Sequence, residues 1–266
     1  MKILILTSSY PLPDDKKSVP TGVVQYFARE LIKQGHEVRV ILNSKKYLLP
    51  LYFLPSFAKK KIATITEGTY LSYKTRKNTF FVDSGVSVNR LPISKIYPKG
   101  KFADRNIVRQ KNKILEILKS DNYCPDVVIG HWINPQLPIM NYLKNDLKSR
   151  YALIIHGDGY LLAEKNNEYS ELIKSVDVIG CRSESASEDI QKILNINEKP
   201  FVCSSGVPDL YIEQSKIDVK KFSEKKDLRI VFVGKLIKRK NVDKIIESLK
   251  LAFPDKQFIF DIIGEG

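Results

Sequence analysis

The 266 residues contain only three histidines, and two of them, His131 and His156, stand just beyond apolar runs of strand length, Val127–Ile129 and Ala152–Ile155. In open α/β sheets, ligands bind outside the carboxyl ends of the strands. An imidazole in that place can hydrogen-bond, orient a bound group or exchange a proton. Trp132, the single tryptophan, directly follows His131. Its face can stack on a sugar ring, and its N–H needs a partner. Plainer readings stand beside these: His156 as a satisfied core histidine, and Trp132 as a packing residue beside a cleft.

A second feature is Thr21-Gly22, at the start of a helical pattern carrying Val23, Val24, Phe27, Leu31 and Ile32. Unpaired N–H groups and about half a positive charge make such a terminus a phosphate site, and glycine lets a ligand approach the backbone. A simply capped turn is the alternative. The preceding loop, Ser8–Pro20, carries no GxGxxG pattern, which argues against a dinucleotide-binding Rossmann enzyme.

The elements that must position these residues are legible as alternation. Met1–Leu6 reads as a strand, the helix from Thr21 ends at Gly35, and Glu37–Leu42 returns as a strand. A helical face formed by Ile107, Ile114, Leu115 and Leu118 precedes Val127–Ile129. Ala152–Ile155, Asp177–Cys181 and Phe201–Cys203 are further strands, and Ser185-Ala186-Ser187-Glu188 has the form of a capping box. Continuous apolar strands alternating with helices predict an α/β fold with a parallel sheet covered on both faces. Pro208–Asp227 is polar and reads as a linker. The pattern then restarts with the strand Leu228–Val233, a helix capped by Asn241, and the strand Gln257–Ile263.

Composition narrows the function classes. The chain is 43% hydrophobic and 28% charged, and 44 Lys and Arg against 30 Asp and Glu give a net charge of +14. That field suits polyanions, anionic lipid or phosphorylated substrates; a merely soluble basic surface is the other reading. No helix-turn-helix, RNP or zinc signature accompanies the charge, so no nucleic-acid partner is expected. Three scattered cysteines make neither a disulfide framework nor a metal site. With no signal sequence and no membrane-length apolar run, a cytoplasmic location is expected. The stretch Lys45–Lys61, KKYLLPLYFLPSFAKKK, sets aromatic and apolar residues between lysine runs. It suits either an interfacial segment on an anionic inner membrane face or a core-packing insertion.

Six segments in order resemble the GT-B-fold retaining glycosyltransferases of family 4, also called group 1: the opening βαβ unit, PDVVIGHWINPQ, YALIIHGDG, SVDVIGCRSESASEDI, VCSSGVP and IVFVGKLIKRKNVDKIIESL. Together they span nearly the whole chain, although residues 47–96 contribute almost nothing. The resemblance implies a GT-B-type Rossmann-like acceptor domain over 1–207, a linker over 208–227, and the start of a second Rossmann-like, nucleotide-sugar-binding domain over 228–266. It implies sugar transfer, with retention, from a nucleotide-sugar to a glycan or lipid-linked acceptor in cell-surface polysaccharide synthesis. His156 takes the catalytic role of orienting the reacting sugar. Thr21, Gly22, Gly234, Lys235 and Lys240 take the donor side, and His131, Trp132 and Asp158 the acceptor side. Lys235 stands where the family has arginine, and Asp158 follows Gly157 directly rather than two residues later. Neither a metal nor another cofactor is expected.

The family's donor site is completed by a later segment with two glutamates, so no transfer by these 266 residues alone is expected. A non-catalytic acceptor- or membrane-binding remnant is therefore the alternative reading. A piece over 228–266 would cover only one face of its own two strands, and proteolysis is expected to cut first in 208–227.

Overall fold

Residues 1–13, 21–65, 73–96, 101–163, 168–206, 212–213, 228–234, 236–254 and 258–264 are described by the computed structural model. Lys235 and most of the 208–227 linker lie outside them. The chain divides into two compact units, Met1–Pro208 and Asp209–Gly266.

In chain order, the first unit comprises β1 (Lys2–Thr7), α1 (Val23–Lys33), β2 (Glu37–Leu42), β3 (Lys45–Lys46), α2 (Ser56–Ile65), β4 (Thr79–Asp83), β5 (Val86–Arg90), β6 (Ile93–Ser94), α3 (Asp104–Ser120), β7 (Val127–His131), α4 (Gln136–Leu143), β8 (Arg150–Ile155), α5 (Glu168–Ile173), β9 (Val178–Cys181), α6 (Glu184–Leu194) and β10 (Phe201–Val202). Eight strands form one sheet in the order β10-β9-β8-β7-β1-β2-β5-β4. All neighbours are parallel except β4 and β5. The chain leaves β1 toward β2 and later returns on its other side as β7, so the crevice beyond the carboxyl ends of β1 and β7 is the switch point at which such sheets take ligands.

The central strands β1, β7 and β8 are mostly apolar because both of their faces are covered. Leu4, Leu6, Val128, Leu153 and Ile155 face one core with Ile114, Leu118, Leu137, Met140 and Ile173. Ile3, Ile5, Val38, Val40, Val86 and Val88 face the other with Val24 and Ala28 of α1. Gly35 closes α1 at φ +82°, where its N–H and that of His36 reach back to the carbonyls of Ile32 and Leu31.

Two local expectations are corrected. Helix α6 is capped by Ser183, not by a box at Ser185: Ser183 is extended and its hydroxyl accepts the Ala186 N–H at 3.2 Å. Asn241 occupies the N-cap position of its helix at φ 49° but makes no side-chain cap bond. Residues 79–90, silent in the sequence reading, form a β4–β5 hairpin across Ser84 and Gly85, both at positive φ. Asp83 pins this hairpin, accepting from Tyr10, Gln25 and Arg29.

The second unit comprises β11 (Leu228–Val233), α7 (Val242–Ala252) and β12 (Phe258–Ile263), with the two strands parallel. Ile230 and Phe232 are half-buried, whereas Val231, Val233, Ile259 and Ile263 are exposed.

Candidate functional site

Parallel register brings the sequence candidates of the first unit together. His131 ends β7 opposite Ile154 of β8, and His156 follows β8 one residue after Ile155. The rings meet with His131 Nδ1 3.0 Å from His156 Nε2. Trp132, at φ 69°, lies almost parallel to the His156 ring, with centroids 4.0 Å apart and 16° between the planes. Phe27 of α1 meets His131 edge-on at 5.2 Å. Through Phe27, the helix that begins at Gly22 reaches the histidine pair.

The two imidazoles differ in access. His131 is fully buried, and its Nε2 has no hydrogen-bond partner among the described residues. His156 is half-buried at the rim. Burial, then the neighbouring His156 and Arg182, hold the His131 pKa down at about 3. Burial, then Arg182, hold that of His156 at about 4. Both rings are therefore neutral at physiological pH and act as hydrogen-bonding groups rather than as cations.

The surrounding polar groups set the frame. Asp158 accepts the Ile133 N–H at 2.5 Å and the His156 N–H at 3.3 Å. Its carboxylate thus braces the two strand ends, and burial raises its pKa despite those bonds. Gln136, in the first turn of α4 and fully buried, donates to Ser8 Oγ at 2.9 Å and to the His131 carbonyl at 2.8 Å, tying β1 to β7 across the switch point. Arg182 follows β9 and donates to the Cys203 carbonyl at 2.6 Å. The sequence reading passed over Ser8, Gln136 and Arg182 as individual residues. The rule that singled out His156, a polar residue next after a strand end, also applies to Arg182.

At α1, Gly22 is the N-cap residue, and the Thr21 hydroxyl accepts the Val23 N–H at 3.4 Å. No acidic side chain occupies the first turn. A Cβ on Gly22 would come within 2.9 Å of the Tyr26 ring. In the second unit, Gly234 directly follows β11 and its N–H donates to the Ile263 carbonyl at 2.9 Å. Lys240 is exposed and ends the turn before α7. Among the described residues, no cluster of three or more His, Cys, Asp or Glu could hold a metal ion.

The stretch Lys45–Lys61 divides its side chains between two roles. Tyr47 and Tyr52 are buried, with Leu51 and Ile62 packed against them. Leu48, Leu49, Phe53 and Phe57 face outward, the two phenylalanines 73% and 75% exposed. No helix among the described residues is long and apolar enough to cross a membrane.

No protein-family model matches the chain, and no curated protein matches it. Solved structures do. An α,α-trehalose-phosphate synthase (UDP-forming) from Burkholderia vietnamiensis aligns with 100% of this chain and 64% of its own, at TM-score 0.62 and 10% identity. The E. coli trehalose-6-phosphate structure bound with UDP-2-fluoro glucose aligns with 99% of this chain and 65% of its own, at TM-score 0.60 and 10% identity. The catalytic domain of starch synthase IV from Arabidopsis thaliana, bound to ADP and acarbose, aligns with 98% and 68%, at TM-score 0.53 and 13% identity. The chain thus spans about two thirds of the length of these structures, and just under that for the first two. The fold is the α/β, Rossmann-like architecture of GT-B glycosyltransferases.

Proposed function

We propose that the first unit is the acceptor-side domain of a retaining, family-4-type glycosyltransferase, and that the second opens its nucleotide-sugar domain. The observation that carries this reading is the Trp132–His156 stack beside His131, at the carboxyl ends of adjacent parallel strands. It joins an aromatic face for a sugar ring to an uncharged imidazole that can hydrogen-bond a sugar oxygen.

The likeness of fold to structures bound with UDP-2-fluoro glucose or with ADP and acarbose supports a nucleotide-sugar donor. In this reading His156 orients the transferred sugar, and Trp132 lines the acceptor side. His131 acts on His156 from within the core, and Asp158 braces the strand ends rather than touching a hydroxyl. On the donor side, the amino-terminal end of α1 at Thr21 and Gly22 offers N–H groups and a partial positive charge to phosphate, and within the second unit Gly234, Lys235 and Lys240 are assigned to the donor by the resemblance. No step calls for a metal.

The reading is tested through the only tryptophan. Trp132 emission should change saturably on adding UDP-glucose, ADP-glucose or a glycoside acceptor, and His156→Ala should reduce the change at least tenfold. Silence of Trp132 toward every probe, with the protein folded, would count against a sugar site here.

The acceptor is proposed to be lipid-linked and part of cell-surface polysaccharide synthesis, with the enzyme peripheral at the cytoplasmic face of a membrane. Outward-facing Leu48, Leu49, Phe53 and Phe57 beside Lys59, Lys60 and Lys61 support this. Burying one such phenylalanine contributes roughly 1.5–3 kcal/mol, and the lysines add attraction to anionic headgroups. Phe53→Ser with Phe57→Ser is expected to weaken binding to phosphatidylglycerol vesicles at least tenfold. Added salt should weaken wild-type binding as well, because charges are screened over about 10 Å at 0.1 M. Unchanged vesicle binding in the double variant would remove the membrane from the proposal.

A further inference from the structure

Ile155 of β8 is register-paired with Cys181 of β9, so the residues that follow, His156 and Arg182, leave the sheet on neighbouring strands at one level. Arg182 is half-buried, and one nitrogen of its guanidinium is fixed on the Cys203 carbonyl. Of the acidic residues nearest in sequence, Glu184 and Glu188 are both paired with Lys199, and Asp177 accepts the Tyr151 N–H. Asp158 spends its carboxylate on the N–H groups of Ile133 and His156. Among the described residues, no carboxylate forms an ion pair with Arg182. A guanidinium is a planar fork of donors matched to phosphate oxygens, and here one nitrogen is fixed while no carboxylate of the described residues pairs with it.

We propose that Arg182 is an anion anchor at the rim of the histidine site, where it binds a phosphate group of the molecule that sits against His156. This rests on the reading of His156 as a substrate contact and adds to it the substrate class: one that brings a phosphate to the carboxyl end of β9. Among the described residues, the groups facing His156 are His131 and Trp132 at the end of β7, Arg182 just beyond β9, and Asp158 from its own loop. Arg182 opposes protonation of both imidazoles. A phosphate on Arg182 would reverse the sign of the local field, so protonation of His156 becomes easier when the site is filled.

The experiment titrates His156 by NMR in the full chain, with and without inorganic pyrophosphate, glucose 6-phosphate or plain glucose, and follows Trp132 emission for affinity. A saturating phosphate probe should raise the His156 midpoint by at least one pH unit, and plain glucose should not. Arg182→Gln should weaken the phosphate probes at least tenfold and abolish the shift. Arg182→Lys, which keeps the charge without the fork, should retain part of both. Tighter binding of glucose 6-phosphate would assign the group to a sugar phosphate, and tighter binding of pyrophosphate to a diphosphate; either supports the anchor. Phosphate affinity unchanged in a folded Arg182→Gln protein overturns it. So does a wild-type protein in which only neutral sugars move Trp132, an outcome that leaves the glycosyl-transfer reading standing. Silence toward phosphates and sugars alike would remove both.

Discussion

Between about pH 6 and pH 4 the protein is expected to lose stability steeply, and His131→Asn should remove a large part of that loss. His131 is fully buried, and burial, reinforced by His156 and Arg182, holds its pKa at about 3. In the unfolded chain it returns to roughly 6.5. As the pH falls below that value, the unfolded state takes the proton first, so stability declines until the folded-state pKa is reached. Each pH unit well inside this window costs about 1.4 kcal/mol per group. Two units therefore remove roughly 2–3 kcal/mol of a total on the order of 5–15. His156 acts in the same direction down to about 4, with a smaller weight because it is only half-buried. Two carboxyl groups bracket the effect. Asp158, whose pKa is raised by burial, takes its proton first in the folded state and gives a gain as the pH falls. At Asp83, burial raises the pKa, but the bonds from Arg29, Gln25 and Tyr10 leave it below the ordinary 3.8, so its contribution is lost only in more acidic solution. Urea unfolding at about pH 7, 5.5 and 4.5 reads the slope. Parallel pH profiles for wild type and His131→Asn would show that the buried histidine is not held neutral.

The path from sequence to site was legible where a single residue carries a single constraint. Gly35 ends α1 because the position after the helix needs positive φ, and glycine takes it without strain. The places of His131 and His156 followed from the apolar runs that they terminate, although the full burial of His131 did not. Their meeting did not follow. Twenty-five positions separate them in the chain, and only the β7–β8 register makes them partners. Gln136 lay beyond reach for the same reason: its bonds to Ser8 and to the His131 carbonyl need β1 and β7 side by side. The β4–β5 hairpin was a missed signal rather than an absent one, because Ser84-Gly85 between alternating Phe81, Asp83, Val86 and Val88 carries turn chemistry. The Lys45–Lys61 stretch allowed two readings, and its side chains divide: Tyr47 and Tyr52 face inward, as a core-packing insertion expects, while Phe53 and Phe57 face outward.

Gly130→Val is expected to destabilise the protein by at least about 3 kcal/mol, at or above the upper end of typical overpacking costs of roughly 1–3 kcal/mol. Gly130 is the residue of β7 just before His131, and it pairs with Leu6 on one side and Leu153 on the other. A Cβ there would fall 2.5 Å from Met140 Sδ, 3.0 Å from Leu153 Cδ1 and 3.3 Å from Gln136 Cβ. The Met140 thioether can rotate away, so Gly130→Ala should be milder, at about 1–2 kcal/mol. Valine adds two methyl groups in the same space. Met140, Leu153 and Gln136 are all buried and offer no solvent side to move into. The better strand propensity of valine returns at most about 1 kcal/mol. The strain also reaches the site, since displacing Gln136 loosens its bonds to Ser8 and the His131 carbonyl. Trp132 emission should therefore shift in the variant before unfolding begins. Gly157→Ala is the control: it has open space around its Cβ position and should change little. For a folded unit of about 200 residues, 3 kcal/mol corresponds to a drop of roughly 6–12 °C in Tm. A Gly130→Val protein that melts within about 2 °C of wild type would mean that α4 does not press on β7 here, and that glycine at this position serves no packing role.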